Sequence, residues 1–176
     1  MKNTKTKQLI YLVGMPGSGK STLGKALSSI LNLPLIDTDN EIEQREGIPI
    51  TSIFREKGEE YFRLLEKEVL RNITNTPAII ATGGGAPCFF DNMDFINANG
   101  LSIWLKVPPT VLAERVLLKE GSRPLLKDLK GEDLLKNLKQ KYERREPFYK
   151  MAHLQYNQDT ENISGLIDKI KSTLML

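Results

Sequence analysis

The chain has 176 residues, 40% hydrophobic and 27% charged, with a net charge of +3. That length holds one domain with a core of its own, the charge is too small to argue for nucleic acid, and no apolar run approaches the ~20 residues of a membrane span. The single cysteine, Cys88, excludes an internal disulfide, and no Cys/His cluster has zinc spacing.

Residues 1–7 are basic but lead into a strand rather than a cleavable signal, so they read as a frayed tail on a cytoplasmic protein. Residues 8–13 form a short apolar run with β-branched and aromatic members, the pattern of a buried strand. Next comes Gly14-Met15-Pro16-Gly17-Ser18-Gly19-Lys20-Ser21-Thr22, which fits the phosphate-loop pattern G-x-x-x-x-G-K-[ST]. Leu23, Ala26, Leu27, Ile30 and Leu31 then recur at helical spacing. Strand, glycine loop and helix together are the context such a loop needs.

Glycines let successive backbone N–H groups curl around an anion, and the helix beginning near Gly19 adds its positive end. Gly17, Ser18, Gly19, Lys20, Ser21 and Thr22 are therefore expected to hold a nucleoside triphosphate. Lys20 would reach the β- and γ-phosphates, and the Ser21 hydroxyl would ligate Mg²⁺.

A second strand over 33–36 stops at Asp37-Thr38-Asp39. In an open parallel sheet, carboxylates at a strand's carboxyl end face the phosphate loop. Thr38 or Asp39 could cap the helix that follows, but two aspartates exceed what a cap requires. Residues 40–57 read as one or two short helices broken around Gly47-Ile48-Pro49, and Gly58 leads into a longer helix over 59–72. There Phe62, Leu65 and Val69 make a core stripe. Arg63 lies at its border, with Glu66 placed to hold the guanidinium.

A third strand over 77–81 runs into Thr82-Gly83-Gly84-Gly85. Three glycines there imply a very close approach of backbone or ligand. Many phosphate-loop enzymes end this strand in a metal-supporting Asp; with none here, Asp37 is the natural substitute. Residues 88–98 read as a helix, with Cys88 a small, buried or half-buried residue. The remaining expectations are a strand over 101–107, a helix over 110–118, a loop from 119 broken by Gly, Ser and Pro, a helix over 132–145, a strand over 153–157 and a helix over 162–174. His153 reads as a strand residue, not a base. Residues 119–150 carry ten Lys/Arg against six Asp/Glu, and a basic loop with such breakers suits a flap over a nucleotide. Alternating strands and helices predict a three-layer αβα fold on a parallel sheet, with two insertions at 38–72 and 119–131.

The set Gly14 to Thr22, Asp37-Thr38-Asp39, Phe62-Arg63 with Glu66, Gly83-Gly84-Gly85, Arg123-Pro124-Leu125-Leu126 and Arg145-Glu146-Pro147-Phe148-Tyr149 resembles the shikimate kinases over essentially the whole chain. The resemblance implies a nucleoside-monophosphate-kinase-like fold: a five-stranded parallel sheet, a small shikimate-binding helical insertion (38–72) and a lid (119–131) in a single kinase domain. It further implies transfer of the ATP γ-phosphoryl group to the 3-hydroxyl of shikimate, on the way to chorismate and the aromatic amino acids. The acceptor is a small carboxylate, and Arg63 and Arg145 would bind it bidentately. Asp39 would accept from its hydroxyls and take the proton of the attacking one. The backbone of Gly83, Gly84 and Gly85 would lie against its ring, with Phe54 and Phe62 as walls. Asp37 would hold the metal through water, and Arg123 would arrive with the lid to stabilise transferring charge. For stacking on adenine the best match is Arg115. The segment Asp159-Thr160-Glu161-Asn162 lacks an arginine expected beside the base. No nucleic-acid or membrane partner is implied, and the chain reads as a monomer. The alternatives are a gluconate or nucleoside monophosphate kinase of the same fold, or a nucleotide-binding regulator without catalysis. A nucleotide acceptor would require a base pocket, and a mere binder has no need of acceptor-side residues.

Overall fold

The structure, a computed structural model, describes residues 9–73, 77–118 and 132–175. In chain order these form β1 (Leu9–Val13), α1 (Lys20–Leu31), β2 (Leu35–Asp37), α2 (Thr38–Glu46), α3 (Ile50–Asn72) and β3 (Ala78–Ala81). After a 3-10 turn over Ala86–Cys88 come α4 (Asn92–Asn99), β4 (Leu101–Leu105), α5 (Pro109–Leu118), α6 (Glu132–Tyr149), β5 (Leu154–Tyr156) and α7 (Ile163–Leu174). The five strands make one sheet in the order β2-β3-β1-β4-β5, and every pairing is parallel. Parallel strands must be joined by crossovers, which places helices on both faces.

Alternation along β1 sorts the core into two halves. Leu9, Tyr11 and Val13 pack with Ile80, Trp104 and residues of α3, α4, α5 and α6, including Leu70, Ile96, Leu112 and Tyr149. Ile10 and Leu12 pack on the opposite face with Leu23 and Leu27 of α1 and Leu166 and Ile170 of α7. A third, smaller cluster (Ile42, Ile53, Phe62, Leu65 and Val69) joins α2 to α3 within the insertion 38–72. The core stripe expected on the second half of α3 therefore faces α2, while Leu70 on the same helix joins the sheet's core.

Two helices differ from expectation. The helix expected over 88–98 begins only at Asn92. Pro87 sits in the 3-10 turn ahead of it, and Phe90 then takes a left-handed φ of 53°, so the chain turns before it can wind. The helix expected to end at Arg145 continues through Pro147 to Tyr149. Pro147 gives up one backbone donor and its ring crowds the carbonyl four residues back, a local cost that tertiary contact overrides. Wholly buried Tyr149 holds that turn in place, its hydroxyl donating to the Gly84 carbonyl at 2.6 Å. The break at Gly58 (φ 82°, ψ 172°) falls where glycine implied one. The expected lid, 119–131 with Arg123, lies outside the described residues, as does the tail 1–7.

Candidate active site

The phosphate loop leaves the carboxyl end of β1 at the middle of the sheet, the edge at which open α/β folds bind ligands. Gly14, Gly17 and Gly19 have φ of 143°, 83° and 98°, values that L side chains resist. At Gly14 a Cβ would also stand 2.8 Å from the Leu105 carbonyl. Lys20 Nζ spans the loop, donating to the carbonyls of Gly14 and Met15 at 2.9 Å each. The ammonium is thus held, largely buried, against the backbone of the loop's first two residues.

Ser21, the second residue of α1, donates to Asp37 Oδ2 at 2.7 Å. The other Asp37 oxygen accepts from the Asp39 backbone N–H at 3.1 Å, so the cap of α2 is Asp37, not Thr38 or Asp39. Thr38 instead accepts from the Gly83 N–H at 2.9 Å, tying the end of β2 to the glycine loop after β3. A hydroxyl and a carboxylate beside the phosphate loop are hard oxygen donors that suit Mg²⁺, which keeps waters and takes phosphate oxygens for the rest. Among the described residues no group of three or more His, Cys, Asp or Glu could hold a metal without such help.

The three glycines after β3 bring residues of α2, α3 and the phosphate loop together. A Cβ on Gly83 would lie 2.6 Å from both Asp39 Oδ1 and Glu66 Oε1. On Gly84 it would strike Pro16 of the phosphate loop at 2.5 Å, and on Gly85 the Arg63 guanidinium at 2.5 Å. The close approach read from sequence is thus, at each glycine, to the protein's own groups.

Arg63 is buried, although its position at the border of the α3 stripe could have left it exposed. Its Nε and Nη2 donate to Glu59 Oε1 at 3.1 and 3.0 Å, and Nη1 donates to Glu66 Oε2. Burial lifts the Glu66 carboxyl to about 7, against the pull of the Arg63 guanidinium; Asp39 adds to the rise and Arg145 opposes it. Glu66 therefore sits within electrostatic reach of Arg63, Asp39 and Arg145, which enter from α3, α2 and α6. Phe54 and Phe62 pack ring on ring at 4.5 Å beside Arg63. The Cys88 thiol is pushed up to about 11 by burial, with Arg145, Tyr149 and Arg63 opposing the rise. It is a poor nucleophile at this depth.

On the nucleotide side, Arg115 Nη1 donates to the carbonyls of Gly17 and Ser18 at 3.3 and 3.2 Å, and Nη2 to Gln158 Oε1 at 3.4 Å. Gln158 also lies 3.2 Å from where a Gly19 Cβ would be. Gln158 and Tyr149 had no assigned role in the sequence reading. A glutamine after a short strand carries no local signal; only the fold brings it to the loop. His153 precedes β5 and accepts at Nδ1 from the Ser102 N–H at 3.2 Å, a structural tie between strands.

The sequence model of the family described as "Shikimate kinase" matches residues 16–175. A shikimate kinase of Bacteroides fragilis is 44% identical over 172 residues, covering 95% of this chain and 96% of its own. The crystal structure of shikimate kinase from Bacteroides thetaiotaomicron superposes with a TM-score of 0.86 at 38% identity, covering 96% of this chain and 98% of that one. Shikimate kinase from Acinetobacter baumannii, solved in complex with shikimate, gives a TM-score of 0.83 at 32% identity, covering 99% of this chain and 96% of that one.

Proposed function

The chain belongs to the shikimate kinase family, and from that membership we propose which of its residues carry the reaction. The reaction moves the γ-phosphoryl group of ATP to the 3-hydroxyl of shikimate, giving shikimate 3-phosphate and ADP. Residues 38–72 bind the acceptor, 119–131 form the lid, and both belong to one kinase domain acting as a monomer in the cytoplasm. No described helix is long and apolar enough to cross a membrane.

The phosphate loop, Gly17 to Thr22, wraps the β- and γ-phosphates, and Lys20 balances their charge. Ser21 and Asp37, which already meet at 2.7 Å, would hold Mg²⁺, and the ion would supply further neutralisation of the phosphate oxygens. Arg115, with Gln158 beside it, borders the adenine side. Arg63 and Arg145 grip the acceptor's carboxylate and so fix the distance of its 3-hydroxyl from the triphosphate. Gly83, Gly84 and Gly85 form the floor under it, Phe54 and Phe62 its walls. Asp39 orients the 3-hydroxyl and takes its proton as that oxygen bonds to the γ-phosphorus. The bond to the bridging oxygen breaks, and its electrons leave with ADP. Arg123 supports the charge on the transferring group. Because the transition state is loose, positioning and neutralisation supply most of the catalysis.

One observation carries the acceptor assignment. Asp39 of α2 and Arg63 of α3, far apart in sequence, converge on the glycine loop at Gly83 and Gly85, whose middle residue Gly84 meets Pro16 of the phosphate loop, with Arg145 of α6 within electrostatic reach of Glu66 beside them. A coupled ADP-release assay tests it. Shikimate should turn over, with little activity on gluconate, AMP or CMP, and Arg63→Ala should raise the shikimate KM while leaving that for ATP nearly unchanged. Equal rates on another acceptor, or wild-type behaviour of Arg63→Ala, would overturn the assignment.

A further inference from the structure

Three aromatic rings surround the Arg63 guanidinium, and the nearest does not come from its own helix. Its central carbon lies 4.2 Å from the Phe89 ring centroid, against 5.2 Å for Phe62 and 5.9 Å for Phe54. A guanidinium is held at its edges by hydrogen bonds and on its flat faces by stacking. Glu59 and Glu66 take edge donors, three N–H groups in all. Of the five that a guanidinium carries, two remain among the described residues, one on each Nη. That is the number a bidentate carboxylate takes.

We propose that Phe89 is a positioning residue for the acceptor: its ring lies against the Arg63 guanidinium and fixes how those two remaining N–H groups meet the acceptor's carboxylate. The inference rests on the assignment of Arg63 made above.

The turn that carries Phe89 is built to present it. Phe90 next to it has φ 53°, a conformation that bulky residues avoid and that persists only where the surroundings impose it. Its own ring does not repay this, being 51% exposed and resting on Lys67 at 4.8 Å. The reversal sends neighbouring side chains to different places: Phe89 to Arg63, Phe90 to the surface. Asn92, wholly buried, locks the turn. Its Nδ2 donates to the Ala86 carbonyl at 2.8 Å, its backbone N–H to the Phe89 carbonyl at 3.2 Å, and its Oδ1 accepts from Arg71 Nη1 at 2.7 Å. Arg71 also pairs with Asp91 at 2.5 Å. Arg71 stands two helical turns beyond Arg63 on α3. One helix therefore carries the arginine and anchors the turn whose ring covers it.

The test uses the full chain with Phe89→Leu, Phe89→Tyr and Arg63→Ala, and the double variant Phe89→Leu/Arg63→Ala. Steady-state KM for shikimate and for ATP are measured, with thermal melts as the check on folding. Phe89→Leu should raise the shikimate KM roughly tenfold, as expected for loss of a desolvated cation–π contact. Its ATP KM should stay within about twofold, and Phe89→Tyr should restore the shikimate KM to within about twofold of wild type. Phe89→Leu should add nothing to Arg63→Ala, because the ring acts through the arginine. Phe89→Met, apolar and without a π face, replaces a leucine variant that does not fold. An unmoved shikimate KM in Phe89→Leu, an equal rise for both substrates without rescue by tyrosine, or a further loss in the double variant would each overturn the proposal. If Arg63→Ala itself leaves shikimate binding unchanged, the acceptor assignment falls and takes this inference with it. If Arg63→Ala raises the KM and Phe89→Leu does not, this inference alone is wrong.

Discussion

Glu66 is lifted from an ordinary carboxyl value of 4.5 to about 7 chiefly by burial, so the folded protein binds its proton more tightly than the unfolded chain does. Linkage then fixes the sign: the favourable contribution is complete below about 4.5 and is lost as pH rises through about 7, at no more than about 1.4 kcal/mol per pH unit. Urea unfolding of wild type and Glu66→Gln at several pH values should show wild type losing ground to the variant across that window, then no further above it. A gap independent of pH would contradict the assigned burial. Lys20 and Asp39 are proposed to act in the chemistry itself, so Lys20→Ala and Asp39→Asn should each lower kcat on the order of a hundredfold or more. Near-normal turnover in either, measured by product formation, would remove it from the mechanism. Most of these residues were legible in the sequence because each stands in a motif: lysine in the glycine loop, aspartates at a strand end, Arg63 with Glu66 one helical turn on. Phe89 and Gln158 were not, since what each one touches is supplied by a distant segment.

Among the elements, the loop after β3 joins the two halves of the site. A Cβ on Gly84 would lie 2.8 Å from the backbone nitrogen of Pro16, an atom that cannot swing aside as a side chain tip could. Gly84→Ala should therefore push the phosphate loop, costing about 1–3 kcal/mol of stability and raising the ATP KM. A melt and kinetics matching wild type would show that the two loops do not touch. The triple glycine was plain in the sequence, but its neighbours were not. The same limit explains the two misjudged helices. Local punctuation placed a stop at Glu146-Pro147 and a start at Cys88. Tyr149 bonding to Gly84 carries one helix past its proline, and the Phe90 reversal delays the other. Tertiary contacts overrode local preference at both ends.

At the scale of the whole molecule, β-α alternation made the three-layer fold and its parallel sheet legible, because buried parallel strands read as short apolar runs between helical stretches. Strand order was not encoded so locally: the central place of β1 follows from how the crossovers pack. As a monomer, the chain should scatter light as a particle of 19.9 kDa; a mass twice that would show a dimer. Residues from α2, α3 and α6 are proposed to meet around one small carboxylate beside the phosphate loop. A crystal structure of the protein with shikimate and ADP–Mg²⁺ tests this arrangement most directly. The shikimate carboxylate should lie between Arg63 and Arg145, with its 3-hydroxyl on Asp39 and the metal on Ser21. Shikimate bound elsewhere, with Arg145 and Asp39 turned away from it, would contradict it.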